Sequence, residues 1–400
     1  MGAIKRMDGM GSGKKSAAGG TPGSRSARQA ERGRKIRYAV VGQGYIAQGA
    51  VLPAFANARK NAELVALISD DPVKLKKLSK DYGVACIAGY DDYDTLMASG
   101  DIDAVYIALP NHLHADYTVR AARAGVHVLC EKPMAVNEAE CLKMQRECKK
   151  HGVKLMIAYR LHFEKANLAA VELVKSGRLG EPRLFSSTFT MQVNDPDNIR
   201  LLEETGGGTL YDIGVYCINA ARYLFRDEPT EVFAITGSNG EKRFAEVEEM
   251  TSAIMRFPGD RLASFNCSFG TAKGSAYEIV GTRGSVRVAP AYSYAKDLNL
   301  TVTIDGKSRV RRFSHGDQFA PQLMYFADCI SRDRTPEPSG EEGLIDVRII
   351  NALYRSAEAR RVVKLPSMQK RERPTRNQQL SRPATGKPRL VHAAPPSAKP

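Results

Sequence analysis

The chain has 400 residues, 43% of them apolar, which suits two ordinary domains, each with a core of its own. A formal charge of +15 would suggest nucleic acid, but residues 1–35 and 366–400 carry +7 each, leaving +1 over 36–365 and no continuous basic surface for a phosphate backbone. Seven cysteines without a CxxC pair point to reduced thiols in a cytoplasmic protein. Residues 1–35 lack the apolar run of roughly 7–15 residues that a signal peptide needs. No stretch approaches the roughly 18 apolar residues of a membrane span.

In chain order, 1–35 reads as a disordered basic leader. Ile36–Val41 then reads as a strand, the sequence GQGYIAQ as a turn, and the following residues as a helix through about Asn57. Strands at Leu64–Ile68, Ala104–Ala108, Val126–Cys130 and Val153–Ala158 alternate with helices at Pro72–Tyr82, Ala115–Ala124 and Ala135–His151. That alternation predicts an α/β fold with a doubly wound parallel sheet over 36–158. Beyond about Phe185, strand-like runs at Arg183–Gln192, Glu231–Thr236, Ser252–Arg256 and Ser285–Val288 follow one another, predicting an α+β second domain over 159–342 with a large, mostly antiparallel open sheet. A helix at Gln322–Ser331 lies in that domain. A second, at Gly343–Arg360, is expected to pack back on the first domain as part of 343–365. Residues 366–400, rich in Pro, Arg, Lys and Ser, read as a disordered basic tail.

Gly42-x-Gly44-x-x-Ala47 stands between a strand and a helix, where backbone amides and a helix N-terminus can meet a pyrophosphate. Gly42 permits the tight turn and Gly44 the close approach, with Tyr45 and Ile46 between them and the helix. At the end of the second strand an acid would accept hydrogen bonds from a free ribose 2′-hydroxyl. Here the position holds Ser69, with Lys74 one helical turn on, which favours NADP(H). Ser69 and Asp70 also serve as caps for the helix that begins at Pro72.

Cys130-Glu131-Lys132-Pro133 follows the fifth strand, at the carboxyl edge where ligands of open α/β sheets bind. By itself a strand-end lysine is usually just solvated. The Glu-Lys-Pro context, with AVVGQGYIA, ALPNHLHAD, AYRLHFE, GRLGEPR and GGGTLYDIGVYCINAARYLF, resembles the Gfo/Idh/MocA family, typified by glucose-fructose oxidoreductase and inositol dehydrogenase, across about 36–365. The resemblance implies that Lys132 lies between the nicotinamide and a sugar hydroxyl. It also sets Pro110, Asn111 and His114 beside the nicotinamide. Glu131 is expected on the cofactor; after the sixth strand, Arg160 is expected on cofactor and substrate and His162 on the substrate, a histidine there being as often a packed linker residue. Most members carry a histidine where this chain has Tyr216. That departure resembles the glucose-fructose branch, in which tyrosine is the acid/base. Asp212 and Tyr216 are four apart on a helix and so share one face. A phenol, with a pKa of about 10 in water, becomes a useful base only beside a cation, which Lys132 supplies. The bland reading makes Tyr216 a core aromatic and Asp212 a helix cap.

The resemblance thus implies an NADP-dependent sugar oxidoreductase that takes an aldose to its lactone at C1. Two enzyme readings stay open: a bound cofactor reoxidised by a second sugar, or a freely exchanging glucose or xylose dehydrogenase. A non-catalytic NADP-sensing regulator would have no need of Lys132, Asp212 and Tyr216. A homodimer or homotetramer through the C-terminal sheet is implied by resemblance, and no metal, membrane or nucleic-acid partner is expected.

Overall fold

The structure, a computed structural model, describes residues 34–368 and 372–398. The leader expected over 1–35 lies outside the described residues except for its last two. Six parallel strands form the first sheet: β1 (Ile36–Val41), β2 (Ala62–Ile68), β3 (Cys86–Ala88), β4 (Ala104–Ile107), β5 (His127–Cys130) and β6 (Leu155–Ile157), in the order β3-β2-β1-β4-β5-β6. Five of the six residues of β1 and all four of β4 are buried, since crossover helices cover both faces of the sheet. The strand order reverses between β1 and β4, and the carboxyl ends there open the crevice in which such sheets bind ligands. The short β3 carries no sequence pattern strong enough to have been expected.

The second sheet has nine strands: β7 (Pro182–Gln192), β8 (Glu231–Gly237), β9 (Met250–Phe257), β10 (Arg261–Ser268), β11 (Gly270–Gly281), β12 (Gly284–Ala289), β13 (Leu298–Ile304), β14 (Lys307–Phe313) and β15 (Val363–Lys364). Their order is β14-β13-β12-β11-β7-β10-β9-β8-β15, antiparallel except where β10 pairs with β7. In β9 exposed and buried residues alternate strictly, so one face lies on the core and the other stands open. The buried face packs on a helix at Val215–Phe225, whose own residues are nearly all buried. A helix at Lys165–Lys175, capped by the Glu164 carboxylate, also belongs here, and the strand-by-strand reading had no place for it.

The last long helix, Gly340–Ala359, touches both halves. Its Arg348 donates to Glu138 of the first domain at 2.6 Å. On another side Glu342 and Asp346 receive the fully buried Arg222 at 2.8 and 2.5 Å, and Arg222 also pairs with Glu228 at 2.5 and 2.9 Å.

The tail expected to be disordered is, over 372–398, laid along the rest of the molecule. Arg373 pairs with Glu228 at 2.7 Å, Gln378 donates to Glu337 O at 2.7 Å, and Leu380 and Val391 join a core cluster. The composition argument fails because the segment needs no core of its own: it inserts single side chains into one already built.

Arg222 is shared by three buried carboxylates, and Arg222→Ala takes it from all of them, leaving Arg373 on Glu228 but removing the cation paired with Glu342 and Asp346. Denaturant unfolding should show a loss of about 3–5 kcal/mol. A loss under about 1 kcal/mol would mean that the acids are neutral in the native protein.

Candidate active site

The glycine turn begins at Gly42, whose φ is +86° and at which a Cβ would lie 2.5 Å from Ala108 O. Only glycine fits there, under the end of β4. At Gly44 a Cβ would meet no protein atom within 4 Å, so this face of the turn is open, as a pyrophosphate requires. The chain then enters a π turn at Ala47–Val51 and an α-helix at Leu52–Ala58. Tyr45 and Ile46 are half-buried on the turn, and the Tyr45 hydroxyl lies beside that of Tyr294.

At the end of β2 the acids are engaged. The Asp70 carboxylate accepts the Tyr90 N–H at 2.7 Å. The helix cap is Asp71, which accepts from Val73 and Lys74 N–H groups. Ser69, expected to face a 2′-phosphate, is buried and accepts the Asp71 N–H at 3.2 Å, while Lys74 stands 4.0 Å from the Asp71 carboxylate.

Lys132 leaves the carboxyl end of β5 and crosses to the second domain. Its Nζ donates to Asp212 O at 2.8 Å and lies 3.2 Å from Asp212 Oδ1. Arg200 Nε donates to the other carboxylate oxygen at 2.7 Å. The Lys132 ammonium also stands 4.9 Å from the centre of the Tyr216 ring, and the Arg160 guanidinium 5.0 Å from it. Arg160 is fixed by Gln318 Oε1 and by Tyr292 O at 2.7 Å. Asp212 lies in a π-helical turn, Leu210–Gly214, and Tyr216 in the α-helix that continues it.

Burial alone would raise the Asp212 pKa, but Arg200 and Lys132 outweigh it and hold the carboxyl at about 2. Burial likewise works against the Lys132 charge, yet Asp212, with Tyr216 and Glu131 behind it, raises that pKa. Lysine and aspartate are thus both ionised at neutral pH. Glu131 is held beside the lysine: it is buried, accepts the Tyr106 hydroxyl at 2.6 Å and the Lys132 N–H at 3.3 Å, and its pKa is pushed up by burial.

Lys132, Asp212, Tyr216 and Arg160 therefore come together, with Pro110 and Asn111 on the loop after β4. The Asn111 amide donates to Gly206 O at 2.8 Å, tying that loop to the glycine run before Asp212. Two expected site histidines do not join them. His114 is buried between Leu109 O and Pro133 O, at 2.9 and 2.8 Å, with its pKa lowered to about 4 by burial. It braces the loop on which Lys132 stands. His162 is buried and gives Nε2 to Asn219 Oδ1 at 2.8 Å, with Glu337 3.5 Å from Nδ1. Arg200, Tyr292 and Gln318 are the contributors that sequence reasoning missed, as no motif marks them. Among the described residues no cluster of three or more His, Cys, Asp or Glu could hold a metal ion, and no helix is long and apolar enough to cross a membrane.

A glycine turn open on one side and a charged lysine at the end of another strand of the same parallel sheet are the parts of a dinucleotide-dependent oxidoreductase. A family model for the oxidoreductase family with an NAD-binding Rossmann fold matches residues 36–159, and one for the GFO/IDH/MocA C-terminal domain matches 167–287. The chain belongs to the Gfo/Idh/MocA family and is an NAD(P)-dependent oxidoreductase. It is 34% identical to the NADP(+) D-xylose 1-dehydrogenase of Haloarcula marismortui, over 82% of this chain and 93% of that protein. The crystal structure of aldose-aldose oxidoreductase from Caulobacter crescentus, with glycerol, superposes with a TM-score of 0.80 at 38% identity, covering 83% of this chain and all of that one. A 3-ketoreductase from Actinomadura kijaniata, solved with NADP and TDP-benzene, gives 0.74 at 26% identity, over 81% of this chain and 98% of that one.

Asp212→Asn removes the nearest counter-charge of Lys132. The lysine pKa should fall, read from the pH dependence of its reductive methylation. An unchanged titration would assign the charge balance to Glu131 instead.

Proposed function

We propose that the protein is an NADP-dependent aldose oxidoreductase that oxidises the C1 hydroxyl of a pyranose to the lactone. The observation that carries this reading is Tyr216, whose ring lies within about 5 Å of the cations of both Lys132 and Arg160 while Lys132 rests on Asp212. Alcohol oxidation needs a group that takes the hydroxyl proton as hydride leaves, and the Tyr216 hydroxyl, carried beside Lys132 and Arg160, is the one placed for it. The nicotinamide, when bound, supplies the acceptor for the hydride that leaves C1. Tyr216 Oη takes the hydroxyl proton. The Lys132 ammonium donates a hydrogen bond to the sugar oxygen and stabilises the charge that develops there. Asp212 keeps Lys132 charged and accepts from a neighbouring sugar hydroxyl.

NADP is favoured over NAD because neither acid at the end of β2 is free: Asp70 is held by Tyr90 and Asp71 by its own helix and His392. The similarity to a D-xylose 1-dehydrogenase and to an aldose-aldose oxidoreductase supports both the cofactor and the sugar class. In this reading the nicotinamide stays bound between turnovers and a second sugar reoxidises it. The open face of the second sheet, with Leu184, Ile235, Ile254 and Leu262 exposed, is the surface through which a dimer or tetramer would form.

Tyr216→Phe should keep fold and cofactor binding and lower single-turnover reduction by an aldose by about 10²–10⁴-fold. Lys132→Met should share that loss without adding to it independently. Retention of half the activity by the phenylalanine variant would remove Tyr216 as the base. The as-purified protein should carry nicotinamide absorbance that changes on adding one sugar and returns on adding another. A cofactor-free preparation that turns over only with added NADP would make it an ordinary dehydrogenase.

A further inference from the structure

The segment past the last strand winds through a 3-10 turn at Arg376–Gln378 and then reaches the first domain. Arg382 O accepts the Asp317 N–H at 3.2 Å, and Asn57 donates to Pro383 O at 2.9 Å. The segment then meets the glycine turn. Gln48, buried on the helix that the turn begins, donates Nε2 to Val391 O at 2.8 Å and accepts the Val391 N–H at Oε1, 2.7 Å. The same Nε2 reaches Gln43 O at 2.8 Å, so one carboxamide ties turn and segment together. Val391 is buried in the cluster that holds Ala47 and Val51. The next residue, His392, places Nδ1 2.8 Å from Asp71 Oδ2, at the end of β2. A few residues on, Asn194 of the second domain donates to Pro396 O at 3.1 Å and Ser397 O at 2.9 Å.

Between 391 and 397 the chain therefore passes from the glycine turn, past the strand end that reads the adenosine ribose, to the second domain. We propose that residues 391–397 are part of the dinucleotide site: a strap across its adenosine end that retains the cofactor, with His392 covering the Asp71 carboxylate so that the strand end accepts a 2′-phosphate. The proposal rests on the dinucleotide reading of the first domain, not on the choice of sugar. Its logic is geometric. A segment held at both ends over a cleft has to let go at one end before the ligand beneath can leave. At Asp71, the carboxylate that would repel a 2′-phosphate is turned onto an imidazole instead. The two-point amide grip on Val391 supplies the anchorage, because Gln48 meets that backbone as a neighbouring strand would.

The test is the release of NADPH from the full chain, followed by its fluorescence after chasing with excess NADP(+), with no sugar present. Val391→Asp puts a charge where the core receives the segment and should speed release by about tenfold or more. His392→Ala, at an exposed side chain, leaves the core untouched and should shrink the preference for NADPH over NADH by about tenfold. Circular dichroism and melting of both variants establish that they fold, and the histidine variant decides the matter if the aspartate variant does not. Unchanged release and unchanged preference would overturn the strap. Tighter NADPH binding by Val391→Asp would overturn it too, since the segment would then be a plug in the cofactor's own place. If the unaltered protein binds neither NADPH nor NADH, the dinucleotide reading falls and takes the strap with it.

Discussion

One ion pair joins the halves of this enzyme at their working surface. Lys132 stands at the edge of the parallel sheet, Asp212 on a helix of the other domain, and the ammonium is held by both the carboxylate and the main-chain carbonyl of the same residue. A lysine so enclosed would shed its proton unless an anion stood against it, and an aspartate so enclosed would gain one. Each keeps the other ionised, and Arg200 on the far carboxylate oxygen fixes the aspartate from behind. The surroundings of the Tyr216 ring follow from this arrangement, with one neighbouring cation set by the Asp212 pair and the other, Arg160, set by its own supports. The π turn at Leu210–Gly214 matters here, since its wide winding carries Asp212 on one side of the bend and leads into the helix bearing Tyr216.

How much of this could be read beforehand depended on whether a residue's role is local. Strand–helix alternation over 36–158 is local, and the strands and helices of the first sheet lie within a few residues of their expected places. Gly42, Gly44 and Lys132 are also legible, because turn and strand end fix them where they stand. Arg200, Tyr292 and Gln318 were not, since each acts only through a partner far off in sequence, and an arginine in a loop looks like any solvated arginine. The histidines misled for a related reason. His114 and His162 sit in motif-bearing loops, but burial turned them to bracing, His114 between two carbonyls and His162 against Asn219. Ser69 stands at the strand end as expected, buried, with its oxygen accepting the Asp71 N–H.

The C-terminal segment is the largest departure from expectation, and it marks a limit of reasoning from composition. Few apolar residues and many prolines do imply that a stretch cannot fold alone. They say nothing about whether a finished surface offers it sockets. Here Glu228, Glu337, Gln48 and Asp71 each receive one residue of the segment, and its prolines, with φ fixed beforehand, leave less freedom to lose on settling there.

That arrangement also sets an order of events during synthesis. Gln48 and Val391 are separated by 343 positions. At ordinary rates of translation the glycine turn waits on the order of 20–70 s for the residue that will occupy its carboxamide. Both sheets are complete in sequence by Lys364, before that residue exists. A newly made chain therefore passes through an interval in which its two domains can be folded while the Gln48 side chain faces water. The seating of Val391 on Gln48 thus follows both sheets in sequence and adds to a core already built.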